Sequence, residues 1–150
     1  MINNGYQIIR TKDQSIIEHL VPFMKKLIDK THEDYSIDSF LKWYRIAIQQ
    51  SPLVLTWVAI KKGNRLIKSD TRLMGYAIGT ISSNLEKEYF NITHLYSDDK
   101  KLTNDLLETI ETWAKKNGIH TIGGVTKRSP KAWQKKYGYK VISYNMVKEI

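Results

Sequence analysis

The most chemically suggestive stretch of this chain runs from an apolar segment, "FNITHLY", through "SDDKKLTND" into "LLETIETWAKKNG". A strand, a short polar turn and a helix are the parts of an anion-binding loop. The first amides of a helix lack intrahelical acceptors and lie at the positive end of its dipole. Lys100 and Lys101 would add cationic charge to such a cradle. The turn holds no glycine and opens on Asp98 and Asp99, so ordinary helix capping by Asp99 or Thr103 competes with phosphate binding. His94 stands just before the turn, and an imidazole with an ordinary pKa near neutrality suits general-base work. It shares strand parity with Ile92 and Tyr96, so half-buried packing is the competing role. Gly123 and Gly124 are adjacent inside a later apolar run. Such a pair weakens a strand unless a bulge or the close approach of another group requires it.

Other chemistries lack their residues. The sequence has no G-x-x-x-x-G-K-[ST], G-x-S-x-G or H-E-x-x-H motif and no acidic calcium loop. There is no cysteine, which removes disulfides, thiolate metal sites and cysteine nucleophiles and fits a reducing, cytoplasmic setting. His19, His32, His94 and His120 are scattered, so no metal site is expected. The formal net charge is +9, which favours anionic partners such as nucleic acid or phosphorylated cofactors. Lysine, isoleucine and asparagine have AT-rich codons, so a low-GC genome, a phage's included, also accounts for much of the lysine. The runs "LVPFM" and "LVLTWVAI" are too short to cross a bilayer, and the first residues do not read as a signal peptide. A length of 150 residues suits one domain, 1–150.

The elements that must position these residues follow from periodicity. Strands are expected at 6–12, 53–62, 70–81, 89–97, 119–126 and 139–150. Helices are expected at 13–32, 36–50 and about 102–117, with a short one in "PKAWQKKYG". Asp13 or Ser15 can cap the first helix, which Pro22 should kink or split. Ser36 or Asp38 can cap the second, and Gly118 should end the third. "KGNR" marks a hairpin turn between the second and third strands, and 82–88 reads as a polar loop. Asp105 and Glu108 fall in the first turn of the third helix on this reading. The order β-α-α-β-β-β-α-β-α-β predicts an α/β fold, a mixed sheet with helices on both faces.

This order, with "THLYSDDKKLTNDLLETIETWAKKNGIHTIGG" and "KYGYKVISYNMVKEI", resembles the GCN5-related N-acetyltransferase (GNAT) family. The likeness is best over 53–150 and rests on element order alone before that. It implies the GNAT-like acyltransferase fold and acetyl-CoA as cofactor, bound where two parallel strands splay. Cofactor contacts would come from Leu95 and Tyr96, from Lys100, Lys101, Leu102 and Thr103, and from Gly123 and Gly124. The glycine pair would admit the pantetheine arm. The family loop is Q/R-x-x-G-x-G/A; anchored on Leu106 and Leu107, its positions fall on Asp98, Lys101 and Thr103, so this loop is degenerate. The family also uses a base and a thiolate-protonating acid, often a tyrosine. His94 is the candidate base, with Glu86 and Glu88 as alternatives. The tyrosine position falls on Gln134, and Tyr137 is the nearby substitute.

Two functions are therefore expected to compete. One is direct acetyl transfer from acetyl-CoA to an amine. The other is a non-catalytic protein of this fold, an interaction or structural subunit. A weaker third is nucleic-acid binding by Lys127, Arg128, Lys131, Lys135, Lys136 and Lys140, with Trp133, Tyr137 and Tyr139 interleaved. The same cations can also serve the 3′-phosphate of CoA.

Overall fold

The computed structural model describes residues 2–3, 5–31, 36–61, 73–83, 87–124, 131–140 and 148–149. Its strands are β1 (Ile2–Asn3), β2 (Tyr6–Thr11), β3 (Val54–Lys61), β4 (Leu73–Ser83), β5 (Glu88–Ser97) and β6 (Ile122–Gly124). Its α-helices are α1 (Ile17–Thr31), α2 (Ile37–Gln50), α3 (Lys100–Lys116) and α4 (Lys131–Tyr137). The strands form one sheet in chain order, antiparallel throughout except for the parallel pair β5–β6. The expected mixed sheet with helices on both faces is therefore what the chain builds.

Several expectations need correction. β1 was not anticipated, although "NNG" is a hairpin signal and Gly5 takes φ +98° in the turn. Pro22 does not split α1, which is continuous through it after a 3-10 turn at Gln14–Ile16. Proline sacrifices one backbone bond there, while Ile16, Ile17, Leu20 and Met24, all fully buried, fasten both sides of it to the sheet. Asp13 caps the 3-10 turn by accepting from the Ser15 amide, and Ser36 caps α2 by accepting from Ser39. The hairpin turn at 62–65, the start of the strand expected at 70 and most of the strand expected at 139–150 lie outside the described residues.

Two cores sandwich the sheet. On one face α3 and α4 cover Tyr6, Leu55, Trp57, Phe90 and Ile92; on the other α1 and α2 cover Val58, Tyr76, Ile78 and Tyr96. The first core is organised by edge-to-face contacts among Trp57, Phe90 and Trp113, with ring centroids 5.2–5.5 Å apart. Within it Asp105 accepts a hydrogen bond from the Tyr6 hydroxyl, which satisfies a buried carboxylate and ties α3 to β2.

β5 does not alternate strictly. Ile78 pairs with His94 but Gly79 pairs with Ile92, so Thr93 is an extra residue, a β-bulge. Thr93 fixes it by donating its hydroxyl to the Ile78 carbonyl at 3.0 Å. The bulge reverses the parity of the strand. Phe90 and Ile92 face α3, while His94 and Tyr96 face α1 and α2, so the expected common side for Ile92 and His94 does not exist. Gly79 lies opposite, where an added Cβ would sit 2.2 Å from Phe90 Cζ and 2.8 Å from the Asn91 carbonyl oxygen. Gly79→Ala should therefore destabilise the fold by about 1–3 kcal/mol, seen as a lowered urea midpoint, because the Phe90 ring cannot retreat from a packed core. An unchanged midpoint would mean that the ring relocates freely.

Candidate functional site

The parallel pair β5–β6 aligns Phe90 with Ile122, Asn91 with Gly123 and Ile92 with Gly124. Among the described residues the pairing ends there, while β5 continues through Ser97. This register is regular, so Gly123 and Gly124 do not mark a bulge. A Cβ on Gly123 would meet only Asn91 Oδ1, at 3.7 Å, whereas one on Gly124 would meet the Ile92 carbonyl oxygen at 3.2 Å. Close backbone approach thus explains the second glycine and not the first.

Beyond β5 the chain turns into α3, two residues earlier than periodicity suggests. Asp99 is the N-cap, and its Oδ1 accepts from the Lys101 amide at 2.9 Å. The Asp99 amide donates to Ser97 Oγ at 3.0 Å, and Ser97 Oγ donates in return to the Asp99 carbonyl at 2.9 Å. The amide and hydroxyl of Thr103 both donate to that same carbonyl, at 3.1 and 3.3 Å. Helix geometry leaves the amides of Lys100 and Leu102 as first-turn donors without an i−4 acceptor. Of the expected cofactor contacts, Lys100 and Lys101 are exposed, but Thr103 is engaged with Asp99 and the Leu102 side chain is fully buried in the α3-side core. Leu102 can offer a ligand its amide only.

The early start of α3 also moves Asp105 and Glu108 out of the first turn, which holds no acidic residue. Asp105 is turned inward to Tyr6. The negative charge at this end is therefore that of Asp98 and Asp99. Asp98 is held by the Tyr96 hydroxyl, which donates to its Oδ1 at 2.6 Å. Burial, and secondarily Asp98, push the Tyr96 pKa up to about 12. Leu95, the neighbouring expected contact, points the other way and packs against the α3-side core.

His94 is 1% exposed. Its ring stacks on Phe40 of α2 with centroids 4.3 Å apart, and its Nδ1 lies 3.0 Å from the Tyr76 hydroxyl. Burial strips water from the imidazolium and lowers the pKa from 6.5 to about 4. The ring is therefore neutral near pH 7, a weak base closed off by Phe40. Tyr137 packs on Trp133, centroids 5.2 Å apart, against the core on the opposite face of the sheet. The two expected catalytic groups are thus not brought together. Tyr139, expected among the aromatics interleaved with the C-terminal cations, has a buried hydroxyl without a hydrogen-bond partner among the described residues. Its pKa is pushed up to about 12 by burial first and Glu111 second. Glu88 begins β5 and is exposed, and Glu86 lies outside the described residues. Among the described residues no three His, Asp or Glu side chains gather as a metal site, and no helix is long and apolar enough to cross a membrane.

The depressed His94 pKa links to stability. Between pH 6.5 and about 4 the unfolded chain takes up a proton that the folded chain refuses, so stability falls as pH drops through this window. The loss should amount to about 3 kcal/mol. Urea midpoints measured from pH 7 to pH 4.5 should fall less steeply for His94→Leu than for the parent chain. Parallel profiles would contradict the buried, neutral imidazole.

No protein-family model matches this chain, and no curated protein does. Solved structures do. A Clostridium acetobutylicum protein described as a predicted acetyltransferase, with acetyl-CoA, superposes at TM-score 0.73 and 17% identity over 96% of both chains. The aminoglycoside N-acetyltransferase AAC(6′)-Iy, in complex with CoA, gives 0.66 at 14% identity over 97% of this chain and 99% of its own. A GNAT family acetyltransferase of Staphylococcus aureus gives 0.66 at 15% identity over 98% of this chain and 100% of its own. Likeness at such identities is likeness of fold, and the chain has the fold of the GNAT acetyltransferases.

Proposed function

We propose that this chain binds acetyl-CoA beside the parallel pair β5–β6, at the start of α3, and passes the acetyl group directly to an amine. The observation that carries the reading is a parallel strand pair, described as far as Ile92 and Gly124, ahead of a helix start with two orphan amides and two lysines. Those groups fit a pyrophosphate: the amides of Lys100 and Leu102 would hold its oxygens, and Lys100 and Lys101 would balance its charge. The cofactor supplies an acetyl thioester, whose carbonyl carbon accepts an amine with loss of the thiolate. The bulge at Thr93 interrupts the β4–β5 ladder and turns backbone out of regular pairing, which suits a donor aimed at a developing oxyanion.

His94 contributes little as a base in this scheme. With its pKa at about 4, a proton from a protonated amine is better lost to water. The rate should then rise with pH along the titration of the acceptor amine, with no inflection from an imidazole near 6.5.

A second reading, a non-catalytic member of the fold, is favoured by one contact. Asp99 places a carboxylate on the Lys101 amide, an anion of the chain's own at the anion site. The two readings part in a calorimetric titration with acetyl-CoA. Asp99→Ala should bind acetyl-CoA several-fold more tightly than the parent chain, through a freed donor worth about 1 kcal/mol. It should also lose about 1 kcal/mol of stability with its helix cap. Lys101→Glu should weaken binding. No heat from either the parent chain or Asp99→Ala at millimolar ligand would sink the cofactor reading. Binding without transfer to a panel of amines would leave the non-catalytic one.

A further inference from the structure

The C-terminal cations are the largest feature that acetyl transfer does not absorb. Between His120 and Glu149 the sequence carries Lys127, Arg128, Lys131, Lys135, Lys136, Lys140 and Lys148 and no carboxylate. α4 sorts this segment into two faces. Trp133 and Tyr137 turn inward and pack against the α3-side core, and Trp133 also meets Tyr139 edge-on with centroids 5.3 Å apart. Lys131, Gln134, Lys135 and Lys136 point outward and line an open surface depression of about 350 Å³, with no acidic residue in its wall among the described residues. Positions 131, 134 and 135 are spaced three and four apart, so one side of a short helix presents them together. The inward aromatics anchor that helix and so fix where its outward side chains stand.

We propose that this outer face of α4 docks the phosphate backbone of duplex nucleic acid without reading its sequence. The partner follows from what the face has and lacks. It has clustered lysine charge, which suits a polymer carrying one negative charge per about 1.7 Å of axis. Among the described residues its aromatics, Trp133 and Tyr137, turn inward and pack against the core, away from the outer lysine face, which favours a duplex over a single strand that must stack its bases. Among the described residues it also has no exposed large apolar side chain to anchor a membrane or an acidic protein. The exposed large apolar side chains among the described residues are Trp43, Ile46 and Leu53; the first two belong to α2, which covers the opposite face of the sheet.

The test is fluorescence anisotropy with a fluorescein-labelled 20-base-pair duplex of arbitrary sequence and the corresponding single strand. The duplex should bind more tightly than the single strand, with little dependence on sequence. With about three phosphates engaged, affinity should fall about 40-fold between 50 and 200 mM salt. The combined variant Lys131→Gln, Lys135→Gln and Lys136→Gln should weaken binding at least tenfold and flatten the salt dependence. Its thermal midpoint, measured beside the parent chain's, separates lost docking from lost folding. Lys12→Gln with Lys42→Gln, on the other side of the sheet, should leave binding unchanged. Equal binding by the α4 variant and the parent, absence of binding at 50 mM salt, or tighter binding of the single strand with quenched tryptophan fluorescence would each overturn the proposal. So would capture by phosphatidylserine vesicles without capture of the duplex. Displacement of the duplex by micromolar CoA would assign the lysines to the cofactor instead, whereas a failure of acetyl-CoA to bind leaves this test untouched.

Discussion

Much of this structure depends on one extra residue in β5. A strand buried on both faces must send alternate side chains to opposite cores. Thr93, bulged out and pinned through its hydroxyl to the Ile78 carbonyl, changes that assignment in mid-strand. Before it, Phe90 and Ile92 serve the aromatic core under α3. After it, His94 and Tyr96 serve the core under α1 and α2. Gly79 accepts the Phe90 ring on the neighbouring strand, and among the described residues β6 pairs with the part of β5 that precedes the bulge. The same residue thus joins the two cores.

The helix start beyond β5 satisfies one of its first amides from within the chain. A helix N-terminus can satisfy its amides with a ligand or with its own side chains. Here Asp99 takes the Lys101 amide, and Ser97 and Thr103 brace the Asp99 backbone. That arrangement stabilises the unliganded chain and leaves fewer donors for a phosphate.

Polar atoms inside the cores show how burial sets chemistry. Tyr6 meets Asp105, Tyr44 meets Thr56 and Tyr76 meets His94, each pairing a side chain from one element with that of another. In the last pair the histidine loses its usual titration near neutrality because Phe40 and the surrounding core exclude the water that would solvate its cation. A residue type suited to base catalysis becomes a packing and hydrogen-bonding residue once its surroundings are fixed.

Periodicity and punctuation in the sequence determined the elements. The stripe Leu106, Leu107, Ile110, Ala114 ending at Gly118 reads directly as α3, and Gly118 takes φ +74°. The β3–β4 hairpin and the parallel return after α3 are equally legible, since each rests on contacts local in sequence or on a connection rule. Only the tertiary structure decided the site. Nothing local to "NITHLY" announces the bulge, because it is set by which residues of β4 pair with it, and that pairing sends His94 beneath Phe40, 54 positions away in sequence. Likewise the early start of α3 and the burial of Asp105 against Tyr6 rest on long-range packing. A sequence fixes residue types and their local spacing; protonation, reach and pairing belong to neighbours that only folding brings together.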